Sequence, residues 1–210
     1  MYMRAWISVM TIALLGTVAS VQADEFEAGV HYVELPAHAP TQDEDRVEVA
    51  ELFWYGCGGC NAFEPYIQAW KPDLPEDTYL RLVPAMFGGT WNTHGQLYFT
   101  LESMGKVDET HEAVYRALHQ DGRRMTEKEE ILSVLEPYGV EADAFERAWG
   151  SFGVRSKMNQ AEQLARNYRA TGVPTLIVNG KYRIESGAAG SFEQMLKIAD
   201  YLVERERQAL

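Results

Sequence analysis

Only two cysteines occur in the 210 residues, and they lie three apart, as Cys57-Gly58-Gly59-Cys60. Sulfurs at that spacing can close a small disulfide ring and reopen it by thiolate attack, which is thiol–disulfide exchange. The chemistry needs an accessible sulfur of lowered pKa and a second sulfur within reach. The apolar run Val49-Ala50-Glu51-Leu52-Phe53-Trp54-Tyr55 comes directly before the pair. A strand there would deliver Cys57 to the amino end of a helix, where unpaired N–H groups and the helix dipole favour a thiolate. Cys57 is therefore the candidate for the sulfur that forms a mixed disulfide. Cys60, one turn inside the helix and shielded, is the candidate resolving thiol.

Other chemistries fit the pair less well. A structural disulfide closing so short a loop removes little chain entropy from the unfolded state and is a poor staple. A zinc site needs two further ligands, and the five histidines are not spaced to supply them. Glu51 is the next residue of interest. On a strand it shares a face with Val47, Val49, Phe53 and Tyr55, which points its carboxyl into an apolar layer near the helix of Cys60 and should raise its pKa. The alternative is an acid at a strand edge that reaches water.

The elements that must position these groups follow from periodicity. Strand patterns occupy residues 31–35, 47–55 and 79–83, with a helix running on from Cys60 through Phe63, Ile67 and Trp70. Helical spacing then dominates to about Tyr168, in segments 96–104, 108–119, 126–138, 142–152 and 156–169, the first four followed by Gly105, Gly122, Gly139 and Gly153. Strand signals return at 175–178, and Asn179-Gly180 followed by Lys181-Tyr182-Arg183-Ile184 is a two-residue hairpin signature. A last helix starts near Ser191 and runs towards Arg207. Phe53, Trp54, Phe63 and Trp70 read as core. Trp91 to His94 could line the mouth of the site, yet His94 reads as a helix-start residue. His31, His38, His111 and His119 are expected on surfaces or in helices, without a catalytic part.

At the amino end, Arg4 precedes an apolar stretch from about Ala5 to Val18, and Val21-Gln22-Ala23 offers the small residues of a cleavage site. A spanning helix needs about 20 apolar residues, so residues 1–23 are expected to be a cleaved export signal. Disulfides persist outside the cytosol, which suits a working cysteine pair. Removing 23 of the 210 residues leaves 187, enough for an ample core, and the loss of Arg4 takes the net charge from −12 to −13. That charge opposes binding to a phosphate backbone, so no nucleic-acid partner is expected.

The chain resembles the DsbA family of exported thiol–disulfide oxidoreductases at four stretches. They are Glu51-Leu52-Phe53-Trp54-Tyr55-Gly56-Cys57, Cys60-Asn61-Ala62-Phe63-Glu64-Pro65, Gly172-Val173-Pro174-Thr175 and Val178-Asn179-Gly180-Lys181-Tyr182. The likeness implies an α/β thioredoxin-like fold with a large all-helical insertion. The domain would comprise residues 24–90 and 169–210, with residues 91–168 inserted. It further implies that the Cys57–Cys60 disulfide, with no other cofactor, is donated to unfolded exported polypeptides in the periplasm, and that a DsbB-like membrane quinone reductase restores it. The Val173-Pro174 bond would be cis and face the cysteines, with the Val173 main chain pairing with extended substrate. Glu51 would exchange protons with the buried thiol. A monomer is expected. Gly58 and Gly59 depart from the family's usual proline and histidine and supply no imidazole, so backbone N–H groups and the helix dipole are left to hold the Cys57 thiolate. A disulfide reductase or isomerase, or a noncatalytic chaperone or metal-binding protein on the same fold, are the alternatives.

Overall fold

The computed structural model describes residues 25–210. The expected export signal, residues 1–23, lies outside them.

Strand β2, Val47–Phe53, is buried at every residue because it has neighbours on both edges. Helix α1, Gly58–Trp70, leads from it to β3, Thr78–Pro84, which pairs with β2 in parallel. Strand β4, Thr175–Val178, takes the other edge of β2 in antiparallel sense, and β5, Tyr182–Glu185, follows through the loop Asn179-Gly180-Lys181, one residue longer than the expected two-residue hairpin because Val178 pairs with Tyr182. The short β1, Val33–Glu34, closes a five-stranded sheet of order β1-β5-β4-β2-β3. Helices α2, Thr90–Ser103, α3, Val107–His119, α4, Lys128–Leu135, α5, Ala142–Trp149, and α6, Phe152–Asn167, all lie between β3 and β4. The chain ends with the one-turn α7, Ser186–Ala189, and with α8, Phe192–Arg207. This is the thioredoxin-like fold that the order of strands and helices predicts.

Side-chain alternation along β2 and β4 splits the core in two. Val47, Val49, Leu176 and Val178 pack with Phe63 and Ile67 of α1 and with Ile198 and Leu202 of α8. Ala50, Leu52 and Ile177 pack with Leu97, Val114, Ile131 and Phe145 from the helical segment. Each half buries apolar surface worth roughly 25 cal/mol per Å².

Several boundaries differ from the expectation. The break before α6 falls at Gly150 and Ser151, not at Gly153, because the Ser151 hydroxyl accepts the Val154 N–H at 3.1 Å and starts the helix at Phe152, four residues before the expected start. Phe152 thus begins α6 and does not end α5. Helix α4 stops at Leu135, and Pro137 stands in a 3₁₀ turn, Glu136–Tyr138. Helix α2 begins at Thr90, six residues before the first apolar repeat, and α7 carried no periodic signal at all.

The register of β4 on β2 matters most for the site. Leu52 pairs with Thr175, so the residues just before β4 lie at the carboxyl end of β2, where α1 starts. The hairpin that completes this edge needs Gly180: its φ is +63°, and a Cβ there would run into the Ala39 carbonyl, whose own N–H donates to Gly180 O at 2.8 Å. We expect Gly180→Ala to cost more than about 1 kcal/mol, seen as a lowered urea midpoint with an unchanged slope.

Candidate active site

The turn Trp54-Tyr55-Gly56 carries the chain from β2 into α1 and is closed by the Cys57 N–H donating to Trp54 O at 2.9 Å. Any side chain at Gly56 would overlap the Trp54 ring. Cys57 is the N-cap of α1, with φ −87° and ψ 118°, and its Sγ accepts the Cys60 N–H at 3.3 Å. A hydroxyl or carboxylate normally fills that position. Here the acceptor is a half-buried sulfur, whereas Cys60 is fully buried, and both thiols are free.

The two sulfurs are pushed in opposite directions. A hydrogen bond from the Cys60 side chain does most to bring the Cys57 pKa down to about 6; burial opposes it, and the Cys60 and Gly59 amides and the charge of His119 assist. Burial above all raises the Cys60 thiol, and its hydrogen bond to Cys57 and the charges of Cys57 and Glu51 add to that.

Glu51 is 1% exposed, and neither carboxyl oxygen has a hydrogen-bond partner. Burial, followed by the charges of Glu64 and Cys57, holds its pKa well above the usual carboxylate range. The expectation of a buried acid near Cys60 is met, and the strand-edge alternative is not. The shared apolar face holds only in part. The strand ends at Phe53, and Phe53 and Tyr55 turn towards Tyr98 of α2 and His111 of α3, with ring centroids 5.4 Å apart for Phe53 and Tyr98 and 5.0 Å for Tyr55 and His111.

The Val173-Pro174 bond is cis, as expected. The Val173 carbonyl oxygen lies 3.6 Å from Cys57 Sγ, and a Cβ on Gly59 would lie 3.4 Å from Pro174 Cδ, so the proline faces the dipeptide. The loop is held from both sides. Thr175 Oγ1 donates to Gly172 O at 2.9 Å, and the Arg183 guanidinium donates to Tyr168 O at 3.0 Å and Arg169 O at 2.5 Å.

Four residues near the site were not placed there from sequence. His119 donates its Nε2–H to Tyr55 O at 2.7 Å. His111 is buried, with Nδ1 2.8 Å from the Tyr55 hydroxyl and Nε2 3.4 Å from a Glu64 carboxylate oxygen. Neither lies on an open surface, and no local pattern distinguishes them from other helical histidines. Trp54, expected in the core, is half-buried and stacked on Trp91 at 4.0 Å. Phe87, 44% exposed, extends this aromatic group. Trp70 is also only half-buried, donating to Asp200 at 2.7 Å, and His94 sits inside α2, buried, with Nε2 3.2 Å from Arg124 O. Among the described residues, no group of three or more His, Cys, Asp or Glu could hold a metal ion.

Residues 67–198 match the family model of the DSBA-like thioredoxin domain. The chain belongs to that family. The thiol:disulfide interchange protein DsbA of Azotobacter vinelandii is 50% identical over 196 residues, covering 93% of this chain and 92% of that one. Its counterpart in Pseudomonas aeruginosa is 46% identical over 197 residues, 94% and 92% of the two chains. The crystal structure of Pseudomonas aeruginosa DsbA superposes with a TM-score of 0.85 at 46% identity, covering 89% of this chain and 97% of that chain. DsbA-family membership makes the chain a thiol:disulfide oxidoreductase, and the cysteine pair capping α1 is the group in this structure suited to that chemistry.

Two outcomes follow from the electrostatics. Glu51 has a folded-state pKa above its unfolded one, so its contribution to stability is present below the unfolded pKa and is lost as pH rises through the folded pKa. Glu51→Gln should therefore match the parent near pH ~4 and exceed it increasingly above that pH, read from denaturant midpoints. Equal midpoints at every pH would contradict a buried acid. Gly59→His has room beside the sulfur, since a Cβ at this position would lie 3.6 Å from Cys57 Sγ. Each further unit off the Cys57 pKa should move its equilibrium with glutathione about tenfold towards the reduced enzyme.

Proposed function

We infer that the Cys57–Cys60 disulfide is donated to unfolded, newly exported polypeptides in the periplasm. The observation that carries this reading is the cap geometry: a half-exposed sulfur with a pKa of about 6 beside a buried partner.

Exchange begins when a client thiolate attacks Cys57 Sγ, the Cys57–Cys60 bond breaks, and a mixed disulfide forms. Cys60 leaves as a thiolate in a buried place that disfavours the charge. Glu51, held protonated by the same burial, is the group that hands it a proton. A second client thiolate then attacks the client sulfur of the mixed disulfide, and Cys57 departs as the stabilised thiolate. Two electrons have passed from client to enzyme. A low pKa at Cys57 makes it a good leaving group and stabilises the reduced form, and both effects drive oxidation of the client.

The client chain lies extended along the Val173 main chain and against Pro174, in the manner of an added strand. Residues 24–90 and 169–210 act as the thioredoxin-like unit, and residues 91–168 as a helical insertion that shapes the environment of the sulfur. Residues 1–23 direct export, the enzyme works as a monomer without metal or organic cofactor, and a DsbB-like membrane quinone reductase takes the two electrons away.

Mixing the disulfide form in stoichiometric amount with a reduced, unfolded disulfide-containing protein should transfer one disulfide per enzyme. Cys57→Ser should abolish transfer, and Cys60→Ala, with Cys57 first carried as a mixed disulfide with glutathione, should exchange the glutathione for a single-thiol client and stop at the client–Cys57 mixed disulfide. An active Cys57→Ser variant would overturn the assignment.

A further inference from the structure

Gly56, Gly58 and Gly59 surround Cys57, so three of the six residues from Tyr55 to Cys60 have no side chain with which to pack. Backbone of that composition is permissive and does not by itself fix where the sulfur lies. We propose that His111 of α3 is a positioning residue for disulfide exchange. Its buried ring braces the segment that carries both cysteines from either end, at the Tyr55 hydroxyl before Cys57 and at the Glu64 carboxylate after Cys60, and so keeps Cys57 Sγ on the Cys60 N–H. The proposal rests on the reading of Cys57 as the exchanging sulfur.

Three features of the geometry support the assignment. First, the brace before the pair is a buried hydrogen bond, with His111 Nδ1 2.8 Å from the Tyr55 hydroxyl. A hydroxyl can donate or accept, so the contact survives in either protonation state of the imidazole. Burial above all holds the Tyr55 pKa well above its usual value, and the hydroxyl keeps its proton. The path from there to the sulfur is short: Tyr55 is two residues before Cys57, inside the turn that the Cys57 N–H closes by donating to Trp54 O at 2.9 Å. Second, the brace after the pair is Glu64, one turn past Cys60 on α1. One of its oxygens lies 3.4 Å from His111 Nε2, and the other accepts the Gln68 amide at 2.8 Å. Third, the ring is itself held, edge-on to Phe53 at 5.5 Å and to Tyr115 at 5.2 Å. Filling this apolar layer does not require a polar ring, and burying two nitrogens there has a cost that an aliphatic side chain would avoid.

The test reads the sulfur and the fold separately. Tyr55→Phe deletes the hydroxyl alone and keeps the ring, its packing and the net charge, while the Tyr55 carbonyl stays on His119 Nε2 at 2.7 Å. In the full mature chain we expect the Cys57 thiolate midpoint, followed by absorbance against pH, to rise by about half a unit, and the glutathione equilibrium to move about threefold towards the disulfide form. His111→Leu should shift both in the same direction, and His111→Asn, whose shorter amide can still meet the Tyr55 hydroxyl, should recover most of the shift. Tyr55→Phe combined with His111→Leu should go no further than His111→Leu alone, because both remove the same contact. Urea midpoints of the dithiol and disulfide forms are measured alongside. A bond that only holds the fold together lowers the two equally and leaves the glutathione equilibrium where it was. That result in Tyr55→Phe, with a thiolate curve overlying the parent's, would overturn the proposal. If low-pH thiolate absorbance instead persisted in Cys57→Ser, the fault would lie with the Cys57 assignment and not with His111.

Discussion

A sulfur stands where helix α1 needs its capping oxygen, and the rest of the site is arranged around that substitution. The first turn of any helix carries N–H groups without partners, and an acceptor there stabilises helix and acceptor together. Cys57 Sγ is that acceptor, so charge on the sulfur improves the cap, whereas joining the sulfur in a disulfide removes the charge. The fold thus favours the state in which the pair has taken up electrons. Glycine at both following positions leaves the amides uncovered, and Gly58 has open space around it. One contact acts the other way. The Val173 carbonyl, 3.6 Å from Sγ, is an acceptor that favours a protonated sulfur. The sulfur is therefore poised between a donor that supports the anion and an acceptor that supports the thiol.

Two buried acids on one strand show how selective this arrangement is. Glu48 and Glu51 are equally buried on β2. Glu48 accepts from the Tyr79 hydroxyl at 2.8 Å and from the Gln42 N–H at 3.0 Å, with Arg81 3.4 Å away, so its charge is satisfied and ties β3 to the preceding loop. Glu51 has no partner on either oxygen. A buried carboxyl without partners holds its proton, costs stability, and belongs with groups that exchange protons. Glu64, one turn past Cys60, differs again: burial raises its pKa, yet the hydrogen bond and charge of His111, with Gln68 and Lys71, leave it lowered. The surroundings thus push Glu51 and Glu64 in opposite directions, whereas Glu48 is held by its hydrogen-bond partners.

Much of this was legible in the chain itself. The apolar run of β2, the spacing of the cysteines and the turn at Asn179-Gly180 are local signals with local causes, whereas the cis Val173-Pro174 bond beside the cysteines was expected from family resemblance alone. The acid at Glu51 was readable for the same reason, since strand alternation fixes its side. Helix ends were less so, because Ser151 outcompeted Gly153 through a side-chain hydrogen bond that hydrophobic spacing does not register. His111, His119 and the stacking of Trp54 on Trp91 were not legible at all. Their roles come from α2 and α3 packing against the end of β2, a contact between residues more than thirty positions apart, and an isolated histidine in a helix carries no mark of what will lie opposite it.

The same packing explains why the helical segment cannot be regarded as a decoration on the sheet. Strands β2 and β4 bring Cys57 and Pro174 together by register alone, and that would suffice for a bare disulfide pair. The first turn of α1 sets the character of the sulfur itself, and α2 and α3 shape the surroundings of the turn that precedes it. Helix α2 supplies Trp91, whose stack on Trp54, extended by Phe87, gives the approach to the sulfur an apolar, partly open wall in an otherwise acidic chain. Aromatic surface of this kind binds apolar groups without requiring a particular sequence. Helix α3 supplies His111 to hold the Tyr55 hydroxyl and His119 to hold the Tyr55 carbonyl, so one residue of the turn before Cys57 is gripped at both its side chain and its main chain. Rotation of α3 by a single turn would release both grips together. The placement of the turn that delivers the sulfur to α1 is consequently a property of how the helical segment docks on the sheet.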